Sequence, residues 1–375
     1  MSKKKGLTAF GIASTYVGTV IGAGYASGQE ILQFFSAFRD KGLISLTIAT
    51  ALFIAFAYIP MLLGKRLNCG DYEKVISIGK SRIPQIFADI LITFTLFGTL
   101  TIMIAASGTN FNQLLGVPMI VGSVFMTILL IISLLAGLDG IVKALSAVVP
   151  VMVVTAFGMS IYYMLNPMTV VDATKEVVIN ASPLIKHWSL SGVLYVSFNL
   201  IISIAILVSM GQMADDEKSI LQGSVFGGLI LGLCAIALNF ALVRNIHIVG
   251  NADLPMVELA KSISSTMGSI YSVVLFLGLY STAISCFYGV YVRFSKSPVF
   301  NKIGNKTIIL FISVISLAAS MLGFTNLIGY IYPLIGYGGI IIMILTTVIL
   351  IKNSKAKVKD NKVFSNKYVV REESN

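Results

Sequence analysis

Residues 18–30 read Gly-Thr-Val-Ile-Gly-Ala-Gly-Tyr-Ala-Ser-Gly-Gln-Glu and lie inside the first apolar stretch of the chain, at 8–37. Glycine is the poorest ordinary helix former, and a backbone group that leaves a helix inside a bilayer must find another partner. In secondary transporters that partner is often substrate or coupling ion, bound where a spanning helix is interrupted. The stretch therefore predicts a first span that is discontinuous at Gly22, Ala23 and Gly24.

A second interpretation of these glycines is close packing against another helix. Gly18 with Gly22, and Gly24 with Gly28, have the small-xxx-small spacing that lets two helices approach. The polar run that follows directly and ends at Glu30 favours the broken helix, because polar side chains at this depth suit a cavity.

The composition is that of an integral membrane protein. Of 375 residues, 56% are hydrophobic and 11% are charged, and the mean hydropathy is +0.90. A soluble domain does not have these values. The formal charge of +11 does not indicate nucleic acid, because the basic residues lie in loops and a tail on one side of the predicted topology.

Ten apolar stretches are long enough to span a bilayer, for which about 20 residues suffice. They predict an all-α fold with spans near 8–37, 43–64, 84–110, 118–137, 141–165, 189–213, 219–243, 268–292, 306–324 and 327–351. With the amino terminus in the cytoplasm, only six of the 27 Lys and Arg residues fall outside: Arg39, Lys41, Lys175, Lys186, Arg244 and Lys261. This bias predicts a cell-membrane protein with both termini cytoplasmic.

The ten spans divide into two sets of five, at about 8–165 and 189–351. An odd number of spans in each half inverts the second half, so we expect two inverted repeats in a single transmembrane transporter domain, residues 1–351. The sixth span should then be discontinuous like the first, near Ser197 and Asn199. The polar, basic tail at 352–375 is predicted to be disordered and cytoplasmic.

Backbone amides freed at Gly22, Ala23 and Gly24 would face a cavity and would suit a carboxylate of the substrate. Ser197 and Asn199, at mid-depth of the sixth span, are the side chains expected to face that substrate. These residues form the predicted substrate-binding site.

Glu30 is an ionisable residue close to this break, which makes it a candidate functional group. Its predicted role is a gate or a coupling group: it either carries a proton, lines the outer gate or vestibule, or binds an amine of the substrate. Gln29 is predicted to belong to the same polar lining.

Ser281, Thr282 and Ser285 lie close together in the eighth span, and Ser281 and Ser285 share a helix face. Their hydroxyl oxygens suit Na⁺. The alternative is that these side chains bond back to carbonyls of their own helix, as buried Ser and Thr commonly do.

The chain has no P-loop, no HExxH and no Gly-x-Ser-x-Gly. We therefore expect no enzymatic activity and no cofactor, and transport would be driven by a gradient of Na⁺ or H⁺. The expected partners are a small-molecule substrate and the lipid bilayer, with no nucleic acid and no obligate protein partner. The isolated cysteines and histidines do not indicate a metal site.

The run from Gly18 to Glu30 resembles the opening motif of the YkvI-like bacterial membrane proteins, putative amino acid permeases related to the amino acid–polyamine–organocation superfamily. The resemblance extends over residues 6–351 and implies the LeuT fold, with the first and sixth spans unwound. It implies that carbonyls of Gly18 and Ile21 hold Na⁺ together with the hydroxyls of Ser281 and Thr282. It also implies that a short helix near 252–265 is an extracellular lid.

The leading hypothesis is an ion-coupled secondary transporter of a small organic solute, an amino acid first, that works by alternating access. The alternative is a ligand-sensing subunit of the germination-receptor type, which uses the same fold without net transport.

Overall fold

The structure is a computed structural model that describes residues 6–76, 83–136, 148–166, 179, 181–297 and 304–372. Within these ranges the chain forms α-helices, one 3₁₀ turn at Ser36–Phe38 and no β-strand; the only bridge outside strands joins Leu7 to Ala214. The helices are α1 (Ala9–Val20), α2 (Ala23–Ser27), α3 (Gln29–Phe34), α4 (Asp40–Arg66), α5 (Tyr72–Ile76), α6 (Ile83–Leu115), α7 (Met119–Ala136), α8 (Val148–Leu165), α9 (Trp188–Met213), α10 (Glu217–Arg244), α11 (Ile246–Val249), α12 (Pro255–Ile263), α13 (Ser265–Lys296), α14 (Asn305–Ser320) and α15 (Phe324–Glu372).

Each of the ten predicted apolar stretches overlaps at least one described helix. Seven of them (α4, α6, α7, α9, α10, α13 and α15) are long and apolar enough to cross a membrane, and three shorter ones (α1, α8 and α14) are also apolar. The first stretch is divided among α1, α2 and α3. The beginning of the fifth, at 141–147, lies outside the described residues.

Glycines bring α4 and α9 into backbone contact. A Cβ at Gly192 would lie 2.6 Å from the carbonyl oxygen of Ser45, and one at Gly211 would overlap the backbone of Met61. Small residues at a helix interface permit this approach in membranes, where the hydrophobic effect does not drive helices together. The α4–α9 pair forms a wall against which α10 and α15 also pack.

The prediction that the sixth span is discontinuous is wrong. α9 is one helix of 26 residues from Trp188 to Met213. No glycine or proline occurs between Gly192 and Gly211 to interrupt it. The polar side chains at mid-depth bond to the helix itself: Asn199 Nδ2 donates to the Tyr195 carbonyl at 2.8 Å, and Ser203 Oγ donates to the Asn199 carbonyl at 2.7 Å. The hydrogen-bonding groups of these side chains are therefore paired within α9, and the helix needs no interruption to accommodate them.

The last helix contains Pro333, which cannot donate a backbone hydrogen bond to the Gly329 carbonyl one turn earlier. The hydroxyl of Ser182 donates to that carbonyl instead, at 2.5 Å. α15 continues as far as Glu372 and includes the described part of the tail, residues 352–372. Residues 373–375 lie outside the described ranges.

Candidate functional site at the interrupted first span

The first span is interrupted where the glycines predicted it. α1 ends at Val20; Ile21 (φ −76°, ψ 95°) and Gly22 (φ −109°, ψ −173°) are extended, and α2 begins at Ala23. The last carbonyls of α1 and the first amides of α2 are the groups that a helix leaves without intrahelical partners. Because α2 is buried over its whole length, these groups lie inside the protein and away from lipid.

A second interruption follows at Gly28, which has a φ of +82°. This left-handed conformation is easy for glycine and costly for residues with a side chain. A side chain at this position would also lie 2.9 Å from Met256 of α12. The turn starts α3 at Gln29 in a new direction, and this change of direction determines where Glu30 points.

Glu30 points back towards the break and occupies the space that a side chain at Gly24 would fill. A Cβ at Gly24 would overlap the Glu30 carboxylate and would lie 3.4 Å from the hydroxyl oxygen of Tyr332. Glu30 is 5% exposed, and the Tyr195 hydroxyl donates to its Oε2 at 3.4 Å. Gly24 therefore makes room for a buried carboxylate.

This carboxylate has no cationic partner among the described residues. The ion pairs found there are Arg66–Glu217, Lys261–Glu258 and Arg293–Asp89. A charge buried without a partner is costly, and such groups in membrane spans commonly serve a function. Glu30 is thus the main chemical feature of the site.

Aromatic rings from α9 and α15 surround this region. Phe198 stacks on Tyr332, with ring centroids 4.6 Å apart and an interplanar angle of 9°. Tyr195 meets Phe198 edge-on at 5.2 Å and Phe34 at 5.3 Å. Because α9 is a continuous helix whose backbone groups are paired, the wall opposite the break presents side chains and no free backbone groups.

The two side chains predicted to face the substrate from the sixth span are hydrogen-bonded within the protein, and their role stays a prediction. Ser197 Oγ donates to the Gly336 carbonyl of α15 at 2.7 Å. Asn199 lines a small space with Tyr16 and Val20 of α1. Their neighbours Tyr195 and Phe198 are the α9 residues beside Glu30. Sequence inspection selected the polar residues of α9 and missed its aromatic ones, although Tyr195 is itself a hydrogen-bond donor at the same depth.

The predicted ion site is brought together in part. A Cβ at Gly22 would lie 3.9 Å from Thr282 Oγ1, so α13 approaches the break at the expected residue. Within the described ranges, the hydroxyls of Ser281 and Thr282 make no hydrogen bond, whereas Ser285 bonds back to the Ser281 carbonyl at 2.9 Å. The alternative of bonding back to the helix thus holds for Ser285 alone. Ile21 is buried, and Gly18 is exposed with open space beside it.

Polar contacts centred on Thr325 join α3, α15 and the segment before α12. The Thr325 hydroxyl donates to Asp253 and accepts a hydrogen bond from Gln29 Nε2 at 3.3 Å. Gln33 Nε2 donates to the Thr325 carbonyl at 2.8 Å. We call this group, Gln29, Gln33, Asp253 and Thr325, the Thr325 seal. Gln29 thus belongs to this polar group, and the gate role predicted for it stays a prediction.

The predicted short helix near 252–265 is α12, Pro255–Ile263, and most of it is buried. Its N-cap is Leu254, and the preceding Asp253 accepts a hydrogen bond from Thr325. Glu258 accepts from Gln113 Nε2 of α6 at 3.1 Å and pairs with Lys261 at 3.4 Å, which ties α12 to α6. The described residues contain no group of three or more His, Cys, Asp or Glu that could hold a metal ion.

Comparison with known proteins supports this architecture. No protein-family model matches the chain. It is 26% identical over 337 residues to the uncharacterized membrane protein YkvI of Bacillus subtilis, covering 90% of this chain and 94% of that protein. It is 27% identical over 321 residues to the uncharacterized protein YyaD of the same organism, covering 85% of this chain and 90% of that protein.

Three solved transporter structures have a similar fold. The inward-facing conformation of Mhp1 matches with a TM-score of 0.67 at 13% identity, over 92% of this chain and 76% of Mhp1. A second structure of Mhp1, a nucleobase-cation-symport-1 family transporter, shows a closed conformation with bromovinylhydantoin bound. It matches with a TM-score of 0.54 at 15% identity, over 93% of this chain and 78% of Mhp1. A manganese transporter of Eremococcus coleocola matches with a TM-score of 0.56 at 12% identity, over 90% of this chain and 78% of that transporter.

The resemblance inferred from residues 18–30 is confirmed over most of the chain length. The chain is therefore similar over most of its length to the membrane protein YkvI, and it has the fold of the LeuT-like transporters.

Proposed function

We propose that the protein is a secondary active transporter that moves a small organic solute, an amino acid first, across the cell membrane by alternating access. The observation that carries the proposal is the interrupted first span, which opens next to a buried carboxylate in a transporter fold. In such folds the substrate binds near mid-depth, where spans are discontinuous. The solute carboxylate binds at the amides of Gly22–Gly24.

Ten spans in two inverted repeats, residues 8–165 and 189–351, belong to this proposal. The helix contacts support it, because four of the five pairs of spans that are five apart pack on one another: α1 on α9, α4 on α10, α6 on α13 and α7 on α14. Contacts between corresponding helices are expected when the halves are related by a twofold axis in the membrane plane. Both termini are cytoplasmic in this arrangement, in keeping with the distribution of Lys and Arg.

The conformation fits one state of an alternating-access cycle. The Thr325 seal is closed, and Gly18 on the other side of the break is exposed. The higher similarity to Mhp1 in its inward-facing conformation than in its closed one agrees with this. Solute and ion shift such an equilibrium only insofar as they bind its states differently.

The coupling ion is Na⁺ held by the carbonyls of Gly18 and Ile21 with Ser281 and Thr282, or H⁺ carried by Glu30. We expect the double variant Ser281→Ala, Thr282→Ala to lower the apparent affinity of uptake for Na⁺ at least about tenfold, because two oxygen ligands are lost. Ser285→Ala is the matched control, since its hydroxyl is already bonded to the helix. An unchanged Na⁺ dependence in the double variant eliminates the site.

The test of the function is uptake of labelled amino acids into proteoliposomes under an imposed Na⁺ gradient and, separately, an imposed H⁺ gradient. We expect accumulation above equilibrium with one gradient and none when that gradient is collapsed. Saturable binding without accumulation under either gradient contradicts transport and favours the ligand-sensing alternative.

A further inference from the structure

The continuous α9 changes how a solute can be recognised opposite the break. All backbone groups of a helix interior are paired, so α9 offers no free carbonyl to a positively charged group on the solute. Recognition from this side must come from side chains. Those nearest the break are Glu30 with Tyr195 and Phe198 of α9 and Tyr332 of α15.

Glu30 has the features of a counter-ion whose partner comes from outside the chain. It is 5% exposed, and within the described residues no Lys or Arg pairs with it and its carboxylate accepts a single hydrogen bond, from the Tyr195 hydroxyl at 3.4 Å. Breaking a buried ion pair is expensive because the remaining charge stays unpaired, so a cation that completes such a pair gains much of that energy.

The aromatic rings beside Glu30 also favour a positively charged group. Phe, Tyr and Trp faces attract ammonium and guanidinium groups, and the attraction strengthens when water is excluded. Tyr195, Phe198 and Tyr332 are all buried. A carboxylate among aromatic rings suits an organic cation and disfavours a group that carries only negative charge.

We infer that Glu30 is the counter-ion for a positively charged group of the solute and is the residue that sets charge specificity. The site accepts ammonium-bearing solutes, with or without a carboxylate, and rejects solutes that carry a carboxylate alone. The inference rests on the proposed function only in taking the interrupted span as the solute site.

The experiment measures thermal stabilisation of the purified full-length protein by three probes of similar size at about 10 mM. 2-Phenylethylamine carries an ammonium, 3-phenylpropionate carries a carboxylate, and phenylalanine carries both. We expect the two ammonium probes to raise the Tm and 3-phenylpropionate to leave it unchanged. Equal stabilisation by 3-phenylpropionate, or no shift with any probe, overturns the inference.

Glu30→Gln keeps the shape of the side chain and removes its charge, so its fold should persist. We expect it to weaken binding of 2-phenylethylamine at least about tenfold. Glu73→Gln is the matched control, because Glu73 is exposed on α5 and the chemical change is the same. Unchanged amine binding in Glu30→Gln, with lost pH dependence of uptake, would make Glu30 a proton carrier and overturn the inference.

The two proposals fail in different ways. If amine binding depends on Glu30 but no solute accumulates in proteoliposomes, the proposed transport function is wrong and the counter-ion role of Glu30 stands. If gradient-driven uptake is unaffected by Glu30→Gln, the counter-ion role of Glu30 is wrong and the proposed transport function stands.

Discussion

Gly24→Ala is expected to reduce solute uptake at least about tenfold, as Glu30→Gln does. The added methyl group would occupy the position of the Glu30 carboxylate, which must then leave the break. The clash is with the flexible end of a side chain, so the fold can accommodate it while the charge moves away from the solute. Uptake into proteoliposomes, with Tm measured on the same samples, tests this expectation.

A double-mutant cycle separates this mechanism from a general disturbance of α2. If Gly24→Ala acts by displacing Glu30, then combining it with Glu30→Gln should cost little more than either change alone. Gly158→Ala is the control, since a Cβ there has nothing within 4 Å. Multiplied losses in the double variant would contradict the displacement of Glu30.

Thr325→Val is expected to open the outer side of the protein and to raise access from outside by about tenfold or more. The valine has the size of threonine but leaves the Gln29 amide and the Asp253 carboxylate without their shared partner. An unpaired buried polar group costs about 1–3 kcal/mol, and this cost falls on the closed state alone. The outward-open state therefore gains population.

The measurement is the labelling rate of a single cysteine, introduced as Ala26→Cys, by a membrane-impermeant maleimide added outside. The three native cysteines are replaced in this background. Ala26 is buried in α2 in the described conformation. Thr47→Val is the matched control, because Thr47 is exposed and bonds only to its own helix at Leu43. Equal labelling rates in both variants would show that the Thr325 seal does not keep the outside closed.

The break in the first span was predictable because its cause is local. Gly22 and Gly24 lower helix stability where they stand, and Gly28 permits the left-handed turn, whatever the rest of the fold does. The continuity of α9 follows from equally local features, namely the lack of glycine at mid-depth and the back-bonding of Asn199. Symmetry with the first span predicted a break there, and local sequence prevailed.

The composition of the site was less predictable because it depends on directions set by tertiary structure. Glu30 reaches Gly24 only because the turn at Gly28 redirects α3. Tyr332 is distant in sequence, and its position follows from the packing of α15 on α9. Ser197 was chosen for its polarity, but its hydroxyl serves the Gly336 carbonyl. A polar residue in a span can serve structure, and a charged one without a partner is the better guide to the site.

Amide hydrogen exchange of the purified protein tests the interrupted first span most directly. We expect peptides covering residues 18–28 to exchange rapidly, because the amides of residues 22–25 at the break lack helical partners, while peptides from the middle of α9 remain protected. Slow exchange in residues 18–28, equal to that of α9, would mean that the first span is an unbroken helix and would contradict the account.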